Sequence, residues 1–166
     1  MKKFTAYDIA QIAMLACFII LAGYFKIPTG IPGSEFQLSA PVAIAIAAVF
    51  GFKRYFLAGM IASVLLLLLG IHTFINAEIS LIFRLTVGLI ILFCGTSIPV
   101  LMLAGPIGTA VARIGLAFTL DIPILPLLIP VIPGMIITAL CVWPITKMMR
   151  TIHEKVGARN SVPRVF

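Results

Sequence analysis

A bundle of six membrane-spanning helices, with both chain ends on the cytoplasmic side, is the all-α fold class that the sequence predicts from three observations. The 166 residues are 62% hydrophobic and only 10% charged, whereas a soluble domain runs at about 45–50% and about 25%; the mean hydropathy is +1.23. Apolar runs recur along the whole chain, and at roughly 20 residues per crossing the length accommodates about six of them with almost no extramembrane domain. Basic residues, finally, gather in alternate connections. These properties exclude a soluble enzyme, a nucleic-acid-binding domain and a disordered tail.

Span one is predicted over residues 6–25, behind the polar start Met1-Lys2-Lys3. It is too long for a signal-peptide core, lacks a small-x-small exit and is followed by further spans. The segment from Lys26 to Glu35 carries Pro28, Gly30, Pro32 and Gly33, which forbid a continuing helix. Span two, residues 37–51, is short for a bilayer and so tilted, recessed or capped by irregular structure, with Pro41 suited to its first turn. Gly51-Phe52-Lys53-Arg54 is a tight basic connection into span three, residues 55–70, whose run Leu65 to Leu69 faces lipid or fills the core. A loop from Ile71 to Asn76 leads to span four, residues 77–93. Span five, residues 99–120, is interrupted at Gly105-Pro106, where a kink is expected. Span six, residues 126–149, is punctuated by Pro126, Pro130 and Pro133, and residues 151–166 form a basic tail whose last six residues could be vector-derived. The spans constitute a single membrane domain over residues 1–150.

The net charge of +7 follows from topology. Lys2, Lys3, Lys53, Arg54, Lys147, Arg150, Lys155, Arg159 and Arg164 fall on one side, Lys26 alone on the other, and Arg84 and Arg113 within spans. This asymmetry puts both termini in the cytoplasm. Trp143 before Lys147 and Arg150 has the aromatic-then-basic order of a helix leaving the cytoplasmic interface. Nucleic-acid binding is therefore not expected, and the connections holding Glu35, His72, Asn76, Glu78 and Asp121 face outside. Cys17, Cys94 and Cys141 lie in apolar runs without metal-ligand spacing, and read as small buried hydrophobes.

Arg84 and Arg113 are the residues that cost most. Each lies about seven positions from the outer end of its span, roughly 10 Å below the outer surface at 1.5 Å per residue. An arginine inside a span costs about 2.5–3.5 kcal/mol on insertion scales and usually faces a partner or a wet cavity. Two readings stand. In one, both line a recessed cavity and hold a carboxylate or phosphate; in the other, each pairs with Glu78 or Asp121, or snorkels to the interface. Gln37, His72 and Asn76 supply hydrogen-bonding groups at the same level, although such residues are also ordinary turn, cap or solvated residues. Glu78 suits a first helical turn as an acid, and nothing beside it supports acid-base catalysis. No Gly-x-x-x-x-Gly-Lys-Ser/Thr phosphate loop exists, so any pumping energy comes from a partner or an ion gradient. No cofactor or metal site is expected. On span one, Ala6, Ala10 and Ala13, continued by Ala16, recur at helical spacing, a small-residue face for docking a separate membrane subunit or for packing inside the bundle.

Over residues 1–150 the chain resembles the substrate-binding S components of energy-coupling factor (ECF) transporters. The resemblance rests on length, six spans with cytoplasmic termini, the Ala6/Ala10/Ala13 face, and the Gly/Pro-rich loop 28–34 leading into Phe36-Gln37-Leu38-Ser39-Ala40-Pro41. Gly51-Phe52-Lys53-Arg54 before span three completes it. It implies a bacterial or archaeal cell-membrane protein that captures a vitamin from outside in a pocket lidded by the first long loop, and topples to release it inside. It also implies a coupling transmembrane subunit docked on Ala6, Ala10 and Ala13, with two cytoplasmic ATPases beneath. By location, Gln37, His72, Asn76, Glu78, Arg84 and Arg113 become the candidate pocket residues. The His-rich start of the nickel and cobalt members is absent, and the arginines favour an anionic vitamin or precursor such as pantothenate, biotin or a phosphorylated ribazole. The alternatives are a stand-alone secondary transporter or channel, an intramembrane enzyme acting on lipid or isoprenoid substrates, and a ligand-free assembly factor. Scattered Asp8, Glu35, Glu78, Asp121 and Glu154 speak against the enzyme.

Overall fold

A computed structural model describes residues 5–28 and 35–161, with side chains for residues 5–25 and 38–156. Helix α1 (Ala6–Tyr24) starts in a capping box: the Thr5 hydroxyl accepts from the Asp8 amide, and the Asp8 carboxylate accepts from the Thr5 amide. Strands β1 (Lys26–Pro28) and β2 (Glu35–Gln37) form a small antiparallel hairpin, with Lys26 opposite Gln37. The tip of the expected lid loop, residues 29–34, lies outside the described residues. Helix α2 (Ser39–Phe50) holds Pro41 in its first turn and ends at Gly51, whose φ of 81° lets the chain reverse at once into α3 (Phe52–Leu68).

Helix α4 (Phe74–Cys94) starts earlier than the sequence predicts, because the Thr73 hydroxyl accepts from the Asn76 amide and caps it. Asn76 consequently sits in a first helical turn and not in a loop. Helix α5 (Ile98–Leu120) passes through Pro106 without breaking, which corrects the expected interruption. It ends at Asp121, whose left-handed φ of 52° is a conformation that Asp tolerates. The proline-rich stretch then forms α6 (Ile124–Leu128), a single 3-10 turn (Ile129–Val131) and α7 (Ile132–Ser161). At 30 residues, α7 is about 45 Å long, so the predicted tail is helical as far as Ser161.

Four stretches are long and apolar enough to cross a membrane by themselves: Ala6–Tyr24, Phe74–Cys94, Ile98–Leu120 and Ile124–Val156. The other two expected spans are shorter helices, α2 at 12 residues and α3 at 17. The centre of the bundle is α2, where Ala43, Ile44, Ala45, Ile46 and Ala47 are all sealed, against Leu15 and Ile19 of α1, Tyr55 and Ala62 of α3, Val87 of α4, Leu101 of α5 and Val142 of α7. Large apolar side chains such as Leu68, Phe93 and Phe118 point outward. That inversion is what a hydrocarbon solvent permits. It also corrects the cysteines: Cys17 and Cys94 are exposed on the outer faces of their helices and Cys141 is half-buried, since lipid solvates a small apolar side chain as well as a core does.

At the end of the bundle bearing the basic connection, Arg54 at the start of α3 donates to the Asp8 carboxylate at 2.6 Å, tying the first turns of α1 and α3. Ala6, Ala10 and Ala13 lie on the exposed side of α1, while Ala16 turns into the core.

Candidate anion pocket

At the opposite end from Arg54, a cavity of about 160 Å³ opens between α2, α4, α5 and the start of α7. Both arginines line it, and the packing of α4 against α5 explains why they meet. Thr119 donates to Glu78, and a methyl of Ile82 would lie 2.6 Å from a Cβ at Gly115. In an antiparallel pair these two contacts define one register, 78 opposite 119 and 82 opposite 115, and the same register sets 84 opposite 113. Close approach is possible because α5 is smooth here: a Cβ at Gly108 would come within 2.7 Å of Val87, and Ala112 is fully buried.

Arg84 is 6% exposed, and its Nη1 donates to the hydroxyls of Ser63 and Ser80, the latter at 2.7 Å. Those hydroxyls also bond each other at 2.8 Å. Arg113 is less enclosed, and its Nε is buried with no hydrogen-bond partner. Among the described residues neither arginine has a carboxylate within ion-pairing distance: Arg54–Asp8 is the pair formed. Neutralisation by Glu78 or Asp121, one of the two readings of the sequence, is therefore not found among the described residues. Glu78 is held by Thr119 and does not line the cavity, and Asp121 is exposed at the end of α5.

Helical phase accounts for the exclusion of Glu78. At about 100° per residue, Ser80 is about 40° from Arg84 around α4, Asn76 about 80° and Glu78 about 120°. Asn76 and Ser80 line the cavity accordingly, as does His72, which is buried in the α3–α4 connection with its backbone N–H on the Leu66 carbonyl. The side chain of Gln37 lies outside the described residues, and its backbone ends β2 just before Ser39, which lines the cavity. The remaining wall went unread in the sequence: Ala40 and Ala43 of α2, Ile79 and Phe83 of α4, Thr109 of α5, and Val131, Gly134, Met135 and Thr138. Ser80 and Thr109 were recoverable, since each is the polar residue one turn before an arginine. The small and apolar remainder carries no signal of its own.

The arrangement suits an amphiphile. The wall combines two guanidinium groups with the apolar side chains of Ala40, Ala43, Val131 and Met135, a chemistry matched to an anionic group joined to an apolar body. Among the described residues no cluster of His, Cys, Asp and Glu could hold a metal ion.

No protein-family model matches the sequence. The chain is 69% identical to the protein BioX of Lysinibacillus sphaericus, over 166 residues and the whole length of both. Among solved structures it is similar to the S-component for biotin from an ECF-type ABC transporter, with a TM-score of 0.63 and 23% identity, covering 89% of this chain and 95% of that one. The membrane bundle described above thus belongs to the family of BioX, built on the fold of an ECF-type S component.

Proposed function

We propose that this chain is the substrate-binding subunit of an ECF-type importer. It crosses the cell membrane of a bacterium or archaeon six times, with both termini in the cytoplasm, and captures an anionic vitamin or vitamin precursor from outside. The observation that carries this reading is the pair of guanidinium heads, level with each other in one cavity and without a carboxylate partner among the described residues. An uncompensated arginine is costly in a membrane, so a cavity with two calls for its counter-charge from the ligand. Biotin, for which the solved structural neighbour is the S-component, bears one carboxylate on an apolar chain and leads the candidates, ahead of pantothenate and a phosphorylated ribazole.

In this reading turnover draws on partners: the chain holds no phosphate loop of its own, so the energy comes from elsewhere. Ala6, Ala10 and Ala13, exposed on α1 and free of bulk, are the surface on which a coupling transmembrane subunit docks, with two ATPases beneath it. The exposure of these alanines favours docking over internal packing. The decisive experiment is mass spectrometry of the small molecule retained by the detergent-purified protein, followed by titration of that molecule into Arg84→Ala and Arg113→Ala. Both variants should bind markedly more weakly. Unchanged affinity in both removes the anion argument.

A further inference from the structure

We infer that Gly59 and Ser63 of α3, a helix with no residue on the cavity wall among the described residues, form the seat that aims Arg84 into the pocket. This rests on the anion-pocket reading above and adds the positioning residues behind it. Four observations converge. A Cβ on Gly59 would overlap Nε and Cδ of Arg84, so the arginine stem lies flat on the α3 backbone at the one residue that leaves room for it. Ser63, four residues on and therefore on the same face of α3, takes Nη1 from the α3 side, while Ser80 takes it from within α4. Tyr55, four residues before Gly59 on that face, is fully buried, and its ring edge would lie 3.6 Å from a Cβ at Gly88, one turn along α4 from Arg84. Arg84 is sealed along its length and still lines the cavity. Nη1 is occupied and Nε is buried, which leaves Nη2 as the nitrogen free to meet a ligand.

The stem of Arg84 is flexible and the α3 backbone is not. A methyl at position 59 therefore displaces the arginine into the cavity and leaves the helix packing in place. Ser63 is off the cavity wall and acts through Arg84 and through Ser80, which it also bonds, as a positioning residue.

The test is residue-resolved arginine modification of the detergent-purified, full-length protein with phenylglyoxal, read by peptide mass spectrometry. Arg113 and Arg54 in the same molecules serve as internal references. In the parent, Arg84 should be modified much more slowly than Arg113. Gly59→Ala should raise modification of Arg84 severalfold with the references unchanged, and Ser63→Ala, which keeps the Ser80 bond, should raise it less. A merely structural role for either residue would alter all three arginines or only the unfolding temperature. If Gly59→Ala folds and Arg84 stays as protected as in the parent, the inference is overturned; if Gly59→Ala does not fold, Ser63→Ala decides by the same criterion. The anion-pocket reading fails separately, on unchanged ligand affinity in Arg84→Ala and Arg113→Ala whatever the labelling shows.

Discussion

Replacing Arg113 by Met should stabilise the ligand-free protein and weaken ligand binding at the same time, and the opposite signs make this the sharpest consequence of the pocket geometry. Among the described residues Arg113 makes no hydrogen bond or ion pair, and its Nε is buried without a partner. Truncating its charge therefore breaks nothing in the empty bundle. Arg113 lies about seven residues from the end of α5, about 10 Å deep, so removal relieves part of the ~2.5–3.5 kcal/mol that an arginine costs at the membrane centre. A gain of about 1 kcal/mol corresponds to roughly 2–4 °C in Tm for a chain of this size. In the loaded protein the same change deletes charge-assisted hydrogen bonds worth about 1.5–3 kcal/mol, a loss of roughly 10- to 150-fold in Kd. Thermal unfolding with and without the co-purifying ligand, and calorimetric titration, measure the two halves. An Arg113→Met protein that unfolds below the parent and binds as tightly would refute the reasoning, because the guanidinium would then be structural.

Arg84→Met should behave differently. It forfeits the bonds to Ser63 and Ser80 and should lower stability by about 1–3 kcal/mol as well as affinity, measured in the same two assays. A neutral amide of the ligand should bind the parent at least about tenfold more weakly than the acid, and the Arg113→Met variant should narrow that ratio. Gly108→Leu forces a side chain against Val87 and Phe83; separating α4 from α5 should cost about 1–3 kcal/mol and disturb the cavity that Phe83 lines, seen as a lower Tm with reduced ligand retention. Ala10→Leu on the exposed side of α1 should leave ligand binding intact and reduce co-purification with the coupling subunit. Vesicles holding this chain alone should bind ligand without accumulating it, until coupling subunit and ATP are added; gradient-driven uptake by the chain alone would favour a stand-alone transporter.

The helices were legible because a bilayer demands long apolar runs and punishes irregular backbone, so Gly51 and the Gly/Pro-rich segment at residues 28–34 mark boundaries clearly. Caps were less legible: Thr73 starts α4 at Phe74, and only the geometry of its hydroxyl reveals that Asn76 is helical. Pro106 misled, since in a membrane a helix passes through a proline where neighbouring groups satisfy the freed carbonyl. That Arg84 and Arg113 lie near the same ends of their helices could be counted along the chain, although the earlier start of α4 at Phe74 puts Arg84 ten residues from its helix end against seven for Arg113. That no carboxylate among the described residues pairs with them could not, because it depends on the angular phase of Glu78 on α4 and on Thr119 of the facing helix capturing it. Gly59 and Ser63 were invisible for the same kind of reason. Nothing in a sequence says which face of α3 meets which face of α4.

The smooth face of α5 links packing to recognition. Gly108 and Ala112 allow α4 and α5 to approach closely, and the register set by Glu78 with Thr119 then obliges Arg84 and Arg113 to share one level. Close packing thus creates a local excess of positive charge in the empty pocket, which under the proposed function an anion relieves. A ligand that binds only the folded bundle stabilises it by about 4 kcal/mol at a thousandfold excess over Kd. With the arginines as the main anion contacts, most of that linkage should disappear in an Arg84→Met/Arg113→Met double variant, even at saturating concentrations for the parent. If the double variant kept the full ligand-induced rise in Tm, the energy of binding would reside in the apolar wall of α2 and α7, and the charge pair would be incidental to it.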